Sequence, residues 1–360
     1  MSAKPSLLER LWLFLVKPEL TLPIPKQPFL LKFWDSLRLF CFFFIFSILG
    51  VIINLLVTPF FGDGVENQVA DIVSDIEANR WLAVVILFFL FVVFAPIIEE
   101  IAFRQWLVPT RWNLALGLTF LLYYLEALLS SVKPWLSLSN LLQISFDIVI
   151  ARFPLQTEDL AVLVEALRSL FVLFGYMGIF VVFLLGLYLI LRINENLYLM
   201  IKQKFQSYFG LLFYFSAVFF GLIHITNYVN IQQLWWLTPL LVLPQLFGGL
   251  ELGYIRVQYG LFWAMFNHAL NNFIPFVATA SLLFLPKEVF GGNVSLAEAD
   301  LSDGDTLVLA FLGLFFIVLF IVVISVNLFN VLELIFSLLR KNRLRVSNTE
   351  SAMSMNMPNS

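Results

Sequence analysis

The sequence predicts an all-α protein, a polytopic transmembrane helix bundle of about eight spans, and three observations carry that prediction. Hydrophobic residues make up 61% of the 360-residue chain and charged residues 12%, far from the balance of a water-soluble domain. Mean hydropathy is +0.93, more than one buried core explains. The apolar residues also fall in runs of about 20, the number a helix needs to cross a hydrocarbon core of about 30 Å. No run shows the two-residue alternation of a strand, whereas a helix satisfies its own backbone in lipid.

Residues 1–35 form a basic N-terminal segment holding Lys4, Arg10, Lys17, Lys26 and Lys32. Its apolar stretch Leu11–Val16 is too short for a cleavable leader and is stopped by Pro18, so Leu7–Leu15 is expected to form a helix at the membrane surface. A transmembrane domain follows over 36–338, with spans expected at 36–60, 81–108, 113–132, 168–192, 207–230, 234–255, 260–284 and 306–338. The first and last are long enough to tilt. Between the third and fourth, 133–167 combines Pro134 and Pro154 with mixed polarity and is expected to form surface helices on the outer face. Pro244 should bend the sixth span, and Gly249 and Gly253, at small-x-x-x-small spacing, should let it approach a neighbour closely. Residues 339–360 are rich in Ser, Asn and Met without an apolar period, and are expected to be a disordered, polar cytoplasmic tail.

Charge between spans alternates in sign. Arg104 and Arg111 follow the second span, Arg192, Lys202 and Lys204 the fourth, Arg256 the sixth, and Arg340, Lys341, Arg343 and Arg345 the eighth. The opposite side carries Asp63, Glu66, Asp71, Asp75 and Glu77, then Glu158, Asp159 and Glu165, then Glu288, Glu298, Asp300, Asp303 and Asp305. The positive-inside rule therefore places both termini in the cytoplasm, as expected of a multi-pass protein of a bacterial inner membrane. A net charge of −3 gives no footing for nucleic acid, and the single Cys41 cannot form an internal disulfide. The 41 Phe suit lipid-facing and helix-packing surfaces.

Ionisable side chains inside a span cost roughly 2.5–3.5 kcal/mol each on insertion scales, so those present call for an explanation. Glu100 and Arg104 are spaced i, i+4 and can pair on one helix face. Glu99 is rotated about 100° from that pair. An apolar setting and a neighbouring carboxylate both favour its protonated form, which suits a general base near neutral pH. Pro96 is expected to kink this helix and free backbone carbonyls nearby. Taken alone, the motif also suits a span that merely ends at the cytoplasmic interface. The chain's two histidines lie in other apolar runs. Phe220 and His224 share a helix face, as do His268 and Asn272, which could donate to one oxygen together. A lone intramembrane His is ordinarily a packing residue; two, with a Glu pair elsewhere, point to a site. Glu126 is expected to find a helix partner, and Asn327, Asn330 and Glu333 to take interfacial or packing roles.

Together, Glu99-Glu100-x-x-x-Arg104, Phe220-x-x-x-His224 and His268-x-x-x-Asn272 resemble the three motifs of the CPBP family of intramembrane proteases. That family includes the eukaryotic CAAX prenyl endopeptidase and the bacterial Abi-type "CAAX protease self-immunity" proteins. The stretch Phe247–Arg256 is similar to the Gly-rich span before the last motif. The resemblance covers roughly 81–110 and 207–275, leaving about 111–206 as an insert. Typical members have a much shorter gap between the first two motifs. Two inserted spans preserve the relative orientation of the motif helices, although the insert could reshape substrate entry.

The resemblance implies a CAAX-protease-like core and an intramembrane endopeptidase, glutamate-type or metal-dependent. Glu99 would activate a water with help from His224, His268 and Asn272 would stabilise the oxyanion, and Glu100 with Arg104 would hold Glu99. Substrates would be membrane-bound or lipidated peptides, or peptides with a hydrophobic terminus. Glu99, His224 and His268 form a conceivable zinc set, but no His-Glu-x-x-His helix exists, and the reading taken is a metal-free water held by four polar side chains. The span limits put Glu99 on the cytoplasmic side of the bilayer centre, His224 on the outer side and His268 near the middle. That spread is on the order of 15 Å at 1.5 Å per residue. Two other classes compete: a catalytically silent protein of the same fold, acting in bacteriocin immunity or as a scaffold, and a transporter with a proton relay. Intact motifs favour the enzyme, and the scarcity of charge on other spans disfavours the transporter.

Overall fold

The computed structural model describes residues 5–20, 27–61, 80–132, 137–150, 158–227, 238–282 and 303–355, and among them every regular element is helical. In chain order these are α1 (Leu7–Val16), α2 (Phe29–Phe61), α3 (Arg80–Leu87), a π segment (Phe88–Phe94) and α4 (Ala95–Arg104) with a 3-10 turn (Gln105–Leu107). Then come α5 (Arg111–Val132), α6 (Leu138–Ile150), α7 (Glu158–Ile193), α8 (Glu195–Ser207) and α9 (Phe209–Ile223), which runs into a second 3-10 turn (His224–Asn227). The last are α10 (Thr238–Leu241), α11 (Leu243–Gln258), α12 (Leu261–Leu282) and α13 (Asp303–Met355).

Among the described residues, three stretches are long and apolar enough to cross a membrane by themselves: Val84–Leu107, Leu167–Ile193 and Thr306–Arg343. Along the third, Leu307, Phe311, Leu314, Ile317, Ile321 and Leu328 are exposed, as lipid-facing side chains should be. The length and composition of the three stretches mark the chain as a membrane protein. The acidic residues Asp63, Glu66, Asp71, Asp75, Glu77, Glu288, Glu298 and Asp300, and Pro134 and Pro154, lie outside the described residues.

The chain divides into two compact units, residues 1–96 with 213–360, and residues 97–212. In the first, α1 buries Leu7, Leu11 and Phe14 on one face and exposes Trp12, Leu13 and Val16 on the other. That two-sided apolar character suits a helix at a membrane surface. Ser6 caps it, its Oγ accepting from Glu9 N at 3.2 Å. Leu7 N donates to Glu333 Oε2 at 3.3 Å, Arg10 pairs with Asp35 at 3.0 Å, and Glu9 takes Ser337 Oγ at 3.1 Å together with Lys341. Asn330 accepts from Arg38 at 2.6 Å, so Glu333 receives the start of α1 and Asn330 ties α13 to α2. Asn327 donates to Cys41 O at 2.7 Å. Phe40, Cys41, Val323 and Val326 form an apolar core between α2 and α13, with Leu270 and Ile274 of α12 packed against it.

Helices α9 and α11 approach closely through glycine. A Cβ at Gly249 would lie 2.8 Å from Ala217 O, and one at Gly253 would lie 2.7 Å from the Phe213 ring. Two expectations need correction. Pro244 does not bend a continuous span: α10 ends at Leu241 and Pro244 sits in the first turn of α11, where its missing N–H has no intrahelical partner to lose. The tail expected to be disordered is helical as far as Met355. Between Leu314 and Met355 there is no Gly or Pro to stop the helix.

In the second unit, Glu126 organises the insert. Its carboxylate accepts Leu138 N at 2.7 Å, capping the start of α6 from outside, and Tyr176 Oη at 3.3 Å. An acidic group at a helix N-terminus satisfies an orphan N–H and complements the dipole. Asp147 of α6 pairs with Arg168 of α7 at 2.8 Å. Arg111 donates to Leu191 O at 3.1 Å and stands over the Tyr198 ring at 4.2 Å, joining α5 to α7 and α8.

Candidate functional site

The six residues singled out by the sequence fall in two groups, one in each unit. In the second unit, the i, i+4 spacing on α4 produces a complete ion pair: Arg104 Nη1 donates to Glu100 Oε1 at 2.8 Å, with both side chains 0% exposed. Removing both charges from water is costly, and only a tight, charge-assisted hydrogen bond offsets that cost. The pair therefore neutralises its own charge within α4. Glu99, next in the chain and partly buried, is hydrogen-bonded to the Tyr124 side chain of α5. A phenol donating to a carboxylate orients it.

The first unit holds His224, His268 and Asn272. Helix α9 ends at Ile223, so His224 opens the 3-10 turn. Its Nδ1 lies 2.7 Å from Phe220 O. Only the tautomer with hydrogen on Nδ1 makes that bond, and it leaves Nε2 as the basic nitrogen. The Phe220 ring meets the His224 imidazole edge to face at 4.7 Å between centroids, and the His268 imidazole at 5.5 Å and 85°. The only two imidazoles in the chain thus abut one phenyl ring. The depth difference that the span limits assigned to them is closed within this unit. His268 is 3% exposed, screened from bulk water.

Asn272 is placed by the backbone of the π segment. There the N–H of Ala95 bonds to Leu90 O, five residues back. The next donor in that register would serve Phe91 O, but the next residue is Pro96, which has none. Asn272 Nδ2 fills the gap, donating to Phe91 O at 2.9 Å. The freed carbonyl expected from Pro96 is therefore present, and it orients the Asn272 amide while the second N–H remains to donate elsewhere.

Sequence reasoning missed two participants. One is Tyr124, whose contact with Glu99 crosses between helices and has no spacing signature. The other is Glu251 on α11, 0% exposed, read from the sequence only as part of a Gly-rich packing stretch. Its carboxylate faces Asn267 and Asn271 of α12. The available signal was the i, i+4 spacing of those two asparagines, one residue before His268 and Asn272.

The chemistry on offer is a carboxylate held by a phenol and followed by a neutralised ion pair, an imidazole with a defined basic nitrogen, and a second imidazole beside an oriented amide. Among the described residues, no three or more His, Cys, Asp and Glu side chains are grouped to hold a metal ion. Compared with known proteins, the chain matches no family model, no curated protein and no solved structure.

Proposed function

We propose that this chain is an intramembrane endopeptidase of the CPBP, CAAX-protease-like type, built on eight spans with both termini in the cytoplasm. It hydrolyses peptide bonds of membrane-bound or lipidated peptides, or of peptides with a hydrophobic terminus. Glu99 accepts a proton from water as the water oxygen attacks the scissile carbonyl carbon, and His224 Nε2 helps to hold that water. His268 and Asn272 donate to the carbonyl oxygen as it becomes an oxyanion, where one such donor is worth roughly 10²–10³ in rate. Collapse breaks the C–N bond, the proton passes from Glu99 to the leaving amine, and the acid and amine products separate. Glu100 and Arg104 keep the helix around Glu99 electrically neutral.

The observation that carries the reading is the convergence of both histidines on Phe220, with the His224 tautomer set by Phe220 O. Packing alone needs neither a defined basic nitrogen nor a second imidazole beside it. The test compares new peptide termini in membranes of cells expressing the wild type, Glu99→Ala or His224→Ala. Termini that appear only with the wild type are expected. The same termini in all three, from equally abundant proteins, would leave the silent-scaffold reading in place. Elemental analysis of the active wild type, with chelator treatment, decides whether a metal takes part; a stoichiometric metal removed with loss of activity would replace the metal-free scheme.

A further inference from the structure

Glu251 is a fully buried carboxylate that the proposed chemistry does not use. It lies on α11, and two of its partners, Asn267 and Asn271, come from α12. With the Asn267 amide oriented so that its oxygen accepts from Ser36 Oγ, its nitrogen donates to Glu251 Oε1 and to Ser36 O, each at 3.2 Å. One turn later, Asn271 Nδ2 lies 3.5 Å from Glu251 Oε2. Each carboxylate oxygen thus faces one amide of an i, i+4 pair, and Asn267 is itself 0% exposed. A leucine would fill similar space without the expense of burying a polar group. What a carboxylate adds is direction: two acceptors in a fixed plane, matched to two donors on one stripe of a helix.

That stripe is adjacent to another. His268 and Asn272 each follow one of the two asparagines, so they stand about 100° further round α12. One stripe contacts α11 and α2; the next brings His268 to Phe220 and Asn272 to Phe91 O. Side chains reach about 5–6 Å from a helix axis, so a rotation of only about 10° moves a tip by about 1 Å. A misplacement of that size can lower a rate about 10²-fold.

We propose that Glu251 is a positioning residue, which acts through Asn267 and Asn271 to set the rotation of α12 and so the placement of His268 and Asn272. As a role in catalysis this rests on the protease reading, whereas the effect on the His268 environment does not. Because the chain has two histidines, ¹⁵N-histidine labelling of the full-length protein in micelles yields two imidazole spin systems, assigned with His268→Gln. Glu251→Leu is expected to shift the His268 signals, which report ring orientation against Phe220, and to leave those of His224 in place. Cleavage of the substrate found by terminus mapping should fall 10- to 100-fold in kcat with KM unchanged. The reciprocal pair Glu251→Gln with Asn271→Asp, in which donor and acceptor exchange places, should restore both readouts. If Glu251→Leu does not fold, Asn271→Leu, which removes one of the two amides, carries the same test. Unmoved His268 signals in a folded variant, equal displacement of both histidines, or no rescue by the reciprocal pair would overturn the proposal. If the wild type cleaves nothing, the protease reading falls while the imidazole signals still decide the role of Glu251.

Discussion

Replacing Asn272 by leucine tests whether this side chain compensates for the donor that Pro96 lacks. The two side chains have the same branching and number of heavy atoms, so the substitution opens no cavity. It removes the 2.9 Å bond to Phe91 O and leaves that carbonyl without a donor in an apolar setting. An orphaned buried polar group costs about 1–3 kcal/mol, and interhelical hydrogen bonds within membranes average about 0.6 and reach about 1.7 kcal/mol. A loss of about 1–2 kcal/mol follows. Pro96→Ala restores an N–H next to Ala95, whose own N–H serves Leu90 O. In that background Phe91 O has a backbone donor, and Asn272→Leu should cost less than about 0.5 kcal/mol. The assay is reversible unfolding by SDS titration in mixed micelles of the wild type, both single variants and the double variant. A coupling of about 1 kcal/mol is expected. Equal costs of Asn272→Leu in both backgrounds would refute the proposed link.

Three other outcomes follow from particular contacts. Arg104→Met alone strands the Glu100 carboxylate and should cost about 3–5 kcal/mol, whereas Arg104→Met with Glu100→Met should recover most of it; thermal unfolding that ranks the double variant below the single would reject the ion-pair account. Gly249→Ala would place a Cβ 2.8 Å from Ala217 O, backbone that cannot swing aside, so a loss of about 1–3 kcal/mol is expected; Gly313→Ala, with nothing within 4 Å of its Cβ, should not lower stability. The Lys341 hydrogen bond, supported by Ser337, holds the Glu9 carboxyl below its usual range. Its contribution is therefore complete above the ordinary carboxylate pKa and is lost as pH falls through the lowered folded value. Hydrogen exchange of α1, corrected for intrinsic rates, should accelerate on acidification below about pH 4, and Lys341→Ala should weaken that pH dependence; α1 protection unchanged by acid would count against a role for the Glu9–Lys341 contact.

What the sequence revealed and what it concealed divide along a physical line. Helix positions were legible because lipid demands about 20 apolar residues per crossing, and among the described residues Val84–Leu107, Leu167–Ile193 and Thr306–Arg343 meet that demand close to three of the expected spans. The Glu100–Arg104 bond was legible because both partners belong to one helix and geometry at i, i+4 is fixed. Pro244 was ambiguous: a proline in an apolar run can bend a helix or begin one, and the break after Leu241 decides which. The π segment was hidden because Phe88–Phe94 has the composition of any span. Its register becomes explicable only when Pro96 removes one donor and Asn272, far along the chain, supplies another. Glu251 was hidden for a related reason: the i, i+4 spacing marks Asn267 and Asn271 as one stripe of α12, but nothing local names the carboxylate on α11 that meets them.

These hidden features share a cause that also organises the candidate site. In lipid, apolar faces of neighbouring helices are nearly interchangeable, because hydrocarbon solvates leucine as well as another helix does. Apolar packing alone therefore specifies rotation about a helix axis weakly, and directional polar contacts must do so. On α12, Asn267 and Asn271 turn one stripe toward Glu251, while Asn272 meets the carbonyl left by Pro96. Those contacts lie on either side of the rotation that brings His268 to Phe220. Changing any one of them should disturb the imidazole more than it disturbs the fold, because the apolar surface of α12 remains available to pack at a slightly different angle.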